Sequence, residues 1–109
     1  MFAFEIPGQR FSLPAGAAVE RFRFVSVNAN SNGVTATASA TVIGVSMNKA
    51  AANEVLEIAD GIVMVEAGEA ITAGVAVASN ASGQAIAGDG NAVALTGATA
   101  AGELITVKL

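Results

Sequence analysis

Short aliphatic runs alternate with turn-forming clusters along most of the chain, most clearly between Asp60 and Ile86. Each run is long enough for a strand and too short for a helix, which predicts a series of tight β-hairpins. Gly68, Gly74 and Gly83 stand where the chain must reverse, because a residue without Cβ takes positive φ at little cost. The pattern predicts an all-β fold, a small single-domain barrel or sandwich of short strands with tight Gly, Ala and Asn turns.

The other aliphatic runs extend this prediction over the whole chain. The predicted strands are residues 19–27, 34–38, 41–45, 54–58, 61–65, 75–78 and 104–109. Alternation in the first strand places Phe22 and Phe24 on one side. Arg21 and Arg23 then lie on the other side, which predicts either a solvated face or a contact with an acidic neighbour. Real helix propensity is confined to Ser46–Ala52 and predicts one or two helical turns at most.

Residues 1–16 are predicted to form an extended N-terminal arm in front of a β domain of residues 17–109. Its apolar side chains have strand periodicity, while Pro7-Gly8 and Pro14 oppose a compact local fold. Two interpretations remain open: an edge strand folded onto the protein's own core, or an arm that lies on a neighbouring molecule. The predicted interface with a neighbouring molecule consists of Phe2, Phe4, Ile6, Phe11, Arg21 and Arg23.

A weak internal repeat relates two short segments. Glu54–Ile58 and Glu103–Val107 share a pattern of Glu, two aliphatic residues, a polar residue and a β-branched aliphatic residue. Asn53 and Gly102, the residues before each Glu, are of types that tolerate the left-handed conformation. Ala67-Gly68-Glu69 is interpreted as a third, looser copy. The pattern predicts repeated turn-then-strand units.

Composition indicates that this small domain shares its burial with neighbours. The chain has 109 residues, of which 53% are hydrophobic and only 13% charged. Much of the apolar fraction is alanine, and the five Phe are the only aromatic residues. A core of alanine buries little surface per residue, and domains of this size often gain stability from self-association or a partner.

Charge and residue types exclude several classes of function. The net charge of −4 argues against a nucleic-acid groove, which needs clustered Lys and Arg. The chain has no His and no Cys, which removes the commonest general base, the thiol nucleophile and most transition-metal ligand sets. We therefore predict no enzymatic activity, no cofactor and no metal. Neither a membrane-spanning stretch nor a signal peptide is predicted, so we expect the protein to stay where it is made or to leave within an assembly.

With these residues in view, the chain resembles the small capsid cement, or head-decoration, proteins of tailed bacteriophages. The resemblance follows the chain in order through 7–11, 14–17, 22–25, 43–45, 50–54, 61–62, 67–74, 82–85 and 100–107. Asn53 departs from the Gly usual in that turn of the family. The resemblance implies a non-enzymatic all-β virion protein, made in the host cytoplasm, that binds the outer surface of the capsid. It also implies that the major capsid protein lattice is the partner, that the protein stabilises it, and that it commonly self-associates as a homotrimer.

The alternative is a free-standing, small ligand-binding or carrier-like β-barrel. A biotinyl or lipoyl carrier needs an exposed Lys at a hairpin tip, whereas Lys49 lies in the alanine-rich segment and Lys108 beside the last residue. A ligand-binding barrel would need a lined apolar cavity, and aromatic residues are scarce after Arg23. Self-association distinguishes the two classes, since a barrel of this kind should be monomeric.

Overall fold

The computed structural model describes residues 2–38 and 40–109, and these residues form nine strands and no helix. The strands are β1 (Ile6–Pro14), β2 (Phe24–Val27), β3 (Gly33–Thr35), β4 (Gly44–Ser46), β5 (Val55–Glu66), β6 (Ala76–Ser79), β7 (Ala85–Ala87), β8 (Ala92–Ala94) and β9 (Leu104–Lys108). They form one antiparallel sheet in the order β3-β2-β4-β5-β9-β8-β6-β7, and β1 pairs with β5 off this path. The sheet curls into a half-barrel. The predicted all-β class is confirmed.

The long strand β5 corrects the prediction of two strands separated by a reversal near Asp60. One continuous strand extends from Val55 to Glu66. Gly61 lies inside it at φ 89°, and a Cβ there would come within 2.6 Å of the backbone nitrogen of Gly8. Glycine therefore permits the close approach of β1 and does not mark a turn. The series of hairpins predicted from Asp60 begins only with β6 and β7.

The helical turns predicted in Ser46–Ala52 are wrong. Ser46 ends β4, and Ala50 forms an isolated antiparallel bridge with Val19. The Ser46 hydroxyl donates to the carbonyl oxygen of Glu20 at 2.6 Å. Tertiary hydrogen bonds thus override a weak local preference for helix.

The strand predicted for residues 19–27 begins only at Phe24. Arg21 and Phe22 form a turn in which Phe22 has φ 63°. The positive φ interrupts the side-chain alternation, so Phe22 is only half-buried while Phe24 is 1% exposed. The predicted common face of the two Phe residues does not form.

The structure contains two copies of a five-strand unit that share β5. Repeat 1 (residues 6–59) consists of β1 to β4 and the first half of β5; repeat 2 (residues 62–108) consists of the second half of β5 and β6 to β9. The pairs Phe24–Val45–Ala59 and Ala76–Val93–Lys108 have the same register in the two units. Isolated bridges also correspond: Ala15–Gly33 with Ala67–Ala85, and Val19–Ala50 with Ile71–Ala98.

Three positive-φ positions recur at equivalent places in the two repeats. They pair Phe22 with Gly74, Ser31 with Gly83, and Asn53 with Gly102. The left-handed turn predicted at Asn53 and Gly102 is therefore confirmed, at φ 69° and 93°. The weak repeat seen in the sequence is one end of a much longer duplication. Ala67 is the counterpart of Ala15, so its interpretation as a third copy of the turn before Glu54 is wrong.

Strand β5 contributes opposite faces to two hydrophobic clusters. Leu56 and Ile58 pack inside repeat 1, in a cluster with the following buried residues: Ala15, Val19, Val25 and Ala50. Val63 and Val65 belong to the larger cluster inside repeat 2. That larger cluster also takes in Phe24, Val45 and Ala59 from repeat 1. Thus the outer face of repeat 1 is buried against the inner face of repeat 2, and this contact joins the two repeats.

Candidate interaction surface

The N-terminal segment crosses the outer face of repeat 2. The backbone N–H of Phe4 donates to Thr106 Oγ1 at 2.6 Å, and the same hydroxyl donates to the Phe4 carbonyl oxygen at 2.7 Å. Thr106 pairs with Met64 across β9 and β5 and is completely buried. A single hydroxyl satisfies two backbone groups of a segment that has no strand partner among the described residues, and this fixes Phe4 on the sheet.

The remainder of the predicted arm is part of the sheet. Residues 6–14 are β1, which pairs along β5 from Ile6–Ile62 to Pro14–Val55 with a bulge between Pro7 and Arg10. Its other edge has no strand beside it within the described residues. Of the two arrangements that the sequence left open, residues 6–14 adopt the edge strand. Residues 2–5, which precede them, lie on the surface of the sheet.

Large apolar side chains of this region are unusually exposed. Phe2 is 94% exposed and Ile6 is 64% exposed, whereas Phe4 is half-buried and Phe11 is 36% exposed. Burying one such side chain is worth roughly 1.5–3 kcal/mol. Exposed pairs of this kind mark contact surfaces more often than isolated apolar residues do.

The two arginines of the predicted interface are engaged within the molecule. Arg23 Nη2 lies 2.8 Å from Glu66 Oε2, and its Nη1 donates to the Ser82 carbonyl oxygen at 3.3 Å. Gln84 Nε2 donates to the same Glu66 oxygen at 2.6 Å, so the ion pair connects repeat 1 with repeat 2. The Arg21 guanidinium lies 4.4 Å from the centre of the Phe22 ring. Of the predicted arginines, Arg21 alone is exposed.

Sequence reasoning missed a cross-strand row beside the arm. Strand register places Ile6, Ile62, Lys108, Val93 and Ala76 side by side on one face of the sheet. Val93 is 41% exposed, and Leu104 on the same face is 38% exposed. The sequence predicted β9 as a strand, but the pairing of Val93 with Lys108 was not visible in it, because β8 is a three-residue strand between Gly-rich turns.

The described residues form no arrangement that resembles a catalytic or metal centre. They contain no group of three or more metal-ligating side chains close enough to hold an ion. Glu103 is fully exposed, and a hydrogen bond from the Thr99 side chain holds its pKa below the usual value. A surface groove lies between residues 40–42 and 86–91, and Asp89 is the only ionisable side chain among the described residues that line it. Within the described ranges no helix is long and apolar enough to cross a membrane.

Comparisons with known proteins agree with this geometry. The solved structure of the "head fiber gp8.5 N base in bacteriophage phi29" superposes with a TM-score of 0.75, at 18% sequence identity, over 93% of this chain and 92% of that chain. At that identity the likeness shows the fold. No curated protein matches the chain. The family model described as "Phage cement protein" matches residues 7–109. The chain therefore belongs to the phage cement protein family and is a structural protein associated with the phage capsid.

Proposed function

We propose that the protein is a non-enzymatic decoration protein that binds the outer surface of the capsid, contacts the major capsid protein and stabilises its lattice. One observation carries the proposal. A Phe that is 94% exposed and an Ile that is 64% exposed flank a segment clamped to the sheet through Thr106. A structural protein gains attachment from such side chains when they enter a partner's apolar pocket.

The two hydrogen bonds between Phe4 and Thr106, here called the clamp, hold the N-terminal segment in place before it binds a partner. Because Phe4 is held by two hydrogen bonds, docking of Phe2 and Ile6 costs less ordering entropy than docking of a free tail would.

We further infer self-association, as a homotrimer, on the capsid surface. The small and alanine-rich core supports this part of the proposal, as do the exposed apolar side chains Val93 and Leu104 on the outer face of repeat 2. Arg23 is left out of the proposed capsid contact, because its charge is paired with Glu66 inside the chain. Phe2, Ile6 and the exposed Arg21 remain the proposed contact residues, with Phe4 as their anchor and Phe11 on the edge of the sheet.

The test is co-sedimentation of the purified protein with undecorated capsids. The Phe2→Ala/Ile6→Ala double variant should lose binding by about two orders of magnitude, since two large side chains are worth several kcal/mol together. Val55→Ala is the matched control, because Val55 is 67% exposed but lies at the other end of β5 from Ile62, beside Pro14 and not beside Ile6. Deletion of residues 1–6 should likewise abolish binding. Unchanged binding by both arm variants would refute the role of the arm, and absence of binding by the intact protein would refute the capsid role.

A further inference from the structure

The contact between the two repeats is formed by an outer half, on repeat 1, and an inner half, on repeat 2. Because the repeats have the same fold, repeat 2 also has residues at the positions of the outer half, and repeat 1 has residues at the positions of the inner half. The outer half is the row Phe24, Val45 and Ala59 of repeat 1. The inner half includes Val63 and Ser79 of repeat 2. In this contact, Ser79 Oγ donates to the carbonyl oxygen of Ala36 at 3.3 Å, and the N–H of Phe24 donates to the carbonyl oxygen of Gly83 at 2.8 Å.

The counterparts of the outer half are open in repeat 2. The counterpart row is Ala76, Val93 and Lys108, which has the same strand register as the buried row. Phe24, Val45 and Ala59 are 1%, 0% and 0% exposed. Val93 is 41% exposed, and both Ala76 and Lys108 are exposed. Repeat 2 thus leaves exposed the row that corresponds to the buried row of repeat 1, beside the N-terminal segment that covers Thr106 on the same face.

The counterparts of the inner half are open in repeat 1. Phe11 pairs with Ile58 as Val63 pairs with Val107, and Val27 lies opposite Gly33 as Ser79 lies opposite Ala85. Val63 and Ser79 are 0% and 2% exposed. Their counterparts Phe11 and Val27 are 36% and 46% exposed. One molecule therefore presents both missing halves of its own internal contact, at opposite ends.

We propose that a second copy of the chain covers these surfaces, with the Val93 row of one copy docked on the Phe11–Val27 surface of the next. The proposal rests on the self-association included in the proposed function and gives it a surface. Continuity with the intrachain contact selects the occupant, because the second copy repeats between molecules the packing that joins repeat 1 to repeat 2. Such a contact is heterologous, so copies add head to tail, and they form a ring where the rotation between successive copies closes.

The differences between the two versions of the contact compensate in volume. A Cβ on Gly83 would lie 2.7 Å from Thr35 Cγ2, so the intrachain contact has no room for one. The counterpart of Gly83 is Ser31, which has a Cβ, and the counterpart of Thr35 is Ala87, which lacks the γ-methyl group. The inner half differs as well. In the proposed contact between copies, the larger Phe11 and Val27 stand in place of Val63 and Ser79. They face the small Ala76, whereas the intrachain contact has Phe24 at that position. Lys108 can extend its alkyl stem over the contact and keep its ammonium group in water.

Sedimentation analysis of two complementary variants tests the head-to-tail geometry. Val93→Asp removes one half and Val27→Asp removes the other, so each alone should be monomeric where the unaltered protein is multimeric. An equimolar mixture should form a dimer and nothing larger, because each variant keeps the half that the other lacks. Val55→Asp, at a position that is 67% exposed and outside both halves, should associate normally. Monomeric unaltered protein, unaffected variants, or a mixture that stays monomeric would each overturn the proposal.

Disulfide trapping tests the same contact by the proximity of two residues. A Cβ on Gly83 would lie 3.2 Å from the Cβ of Arg23, and the counterparts of these residues are Ser31 and Val75. The chain has no cysteine, so oxidation of mixed Ser31→Cys and Val75→Cys proteins has no background. We expect a linked heterodimer from this mixture and none from Val55→Cys with Val75→Cys. Failure to link would contradict the contact, and capsid co-sedimentation by the same proteins would show separately whether the capsid role holds.

Discussion

Phe4 and Thr106 lie 102 positions apart in the chain and are joined twice through one hydroxyl group, which accepts from the Phe4 N–H and donates to its carbonyl oxygen. Thr106→Val keeps the shape of the side chain and removes both hydrogen bonds. We expect a loss of about 1–2 kcal/mol in the free energy of unfolding. Hydrogen exchange of the Phe4 amide should rise, and Thr72→Val, at an exposed position, should change neither quantity. Unaltered protection of the Phe4 amide would contradict the clamp.

The Arg23–Glu66 ion pair should contribute more to stability than Arg10–Glu57. The side chains of the first pair are 20% and 25% exposed, and those of the second 51% and 43%. After allowance for solvent screening, a double-mutant cycle from urea melts should give about 1–2 kcal/mol for Arg23–Glu66 and under about 0.5 kcal/mol for Arg10–Glu57. Equal coupling energies for the two pairs would show that the contact between the repeats does not depend on this ion pair.

Gly83 and Gly74 form a matched pair for separating backbone strain from steric conflict. Both have positive φ, 76° and 92°, but a Cβ on Gly74 would meet open space whereas one on Gly83 would lie 2.7 Å from Thr35 Cγ2. Gly74→Ala should cost about 1 kcal/mol, from strain alone. Gly83→Ala should cost about 2–3 kcal/mol, because overpacking adds to the strain.

Thr35→Ser should relieve part of the cost of Gly83→Ala, since it removes the γ-methyl group that the new Cβ meets. Denaturant melts of the single and double variants would measure this coupling. If the change in the free energy of unfolding of the double variant equals the sum of the two single effects, the new Cβ does not conflict with Thr35 Cγ2.

Glu103 gives the stability of the last turn a defined pH dependence. Hydrogen bonds from Thr99, chiefly from its hydroxyl, hold the pKa of Glu103 below the value in the unfolded chain. The stabilisation is therefore present above the unfolded pKa and is lost as the pH falls through the folded one. Thr99→Ala should raise the Glu103 pKa toward its usual value, as measured by NMR titration of its carboxyl carbon. An unchanged pKa in Thr99→Ala would assign the shift to the backbone instead.

The pattern of the sequence predicted the fold class and most strands because aliphatic runs between turn residues report on local structure. It could not predict that β5 passes through Asp60 and Gly61, because Gly61 is required by the approach of Gly8 from a distant strand. The same holds for Ser46–Ala52, whose alanines serve a bridge to Val19. Among the predicted contact residues, Phe2 and Ile6 were singled out by their period-2 spacing, but the sequence left open whether they lie in the core or on a surface, and only the structure shows them exposed. The internal pairing of Arg23 depends on Glu66, which only the folded chain brings near.

Ile62 pairs with Ile6 of β1 on one side and with Lys108 of β9 on the other. The start of the first strand and the end of the last strand therefore lie beside the same residue. Strands on either side of a common neighbour are about 10 Å apart, so a linker of a few residues could connect Leu109 to Ile6. A circular permutant opened between β3 and β4, within residues 40–43, would keep every strand of both repeats intact. Its order of synthesis would then begin with β4 and the uninterrupted β5. The first strand of the permutant, β4, would pair with β5 directly after it, whereas β1 in the present order can pair only after β5 has been synthesised.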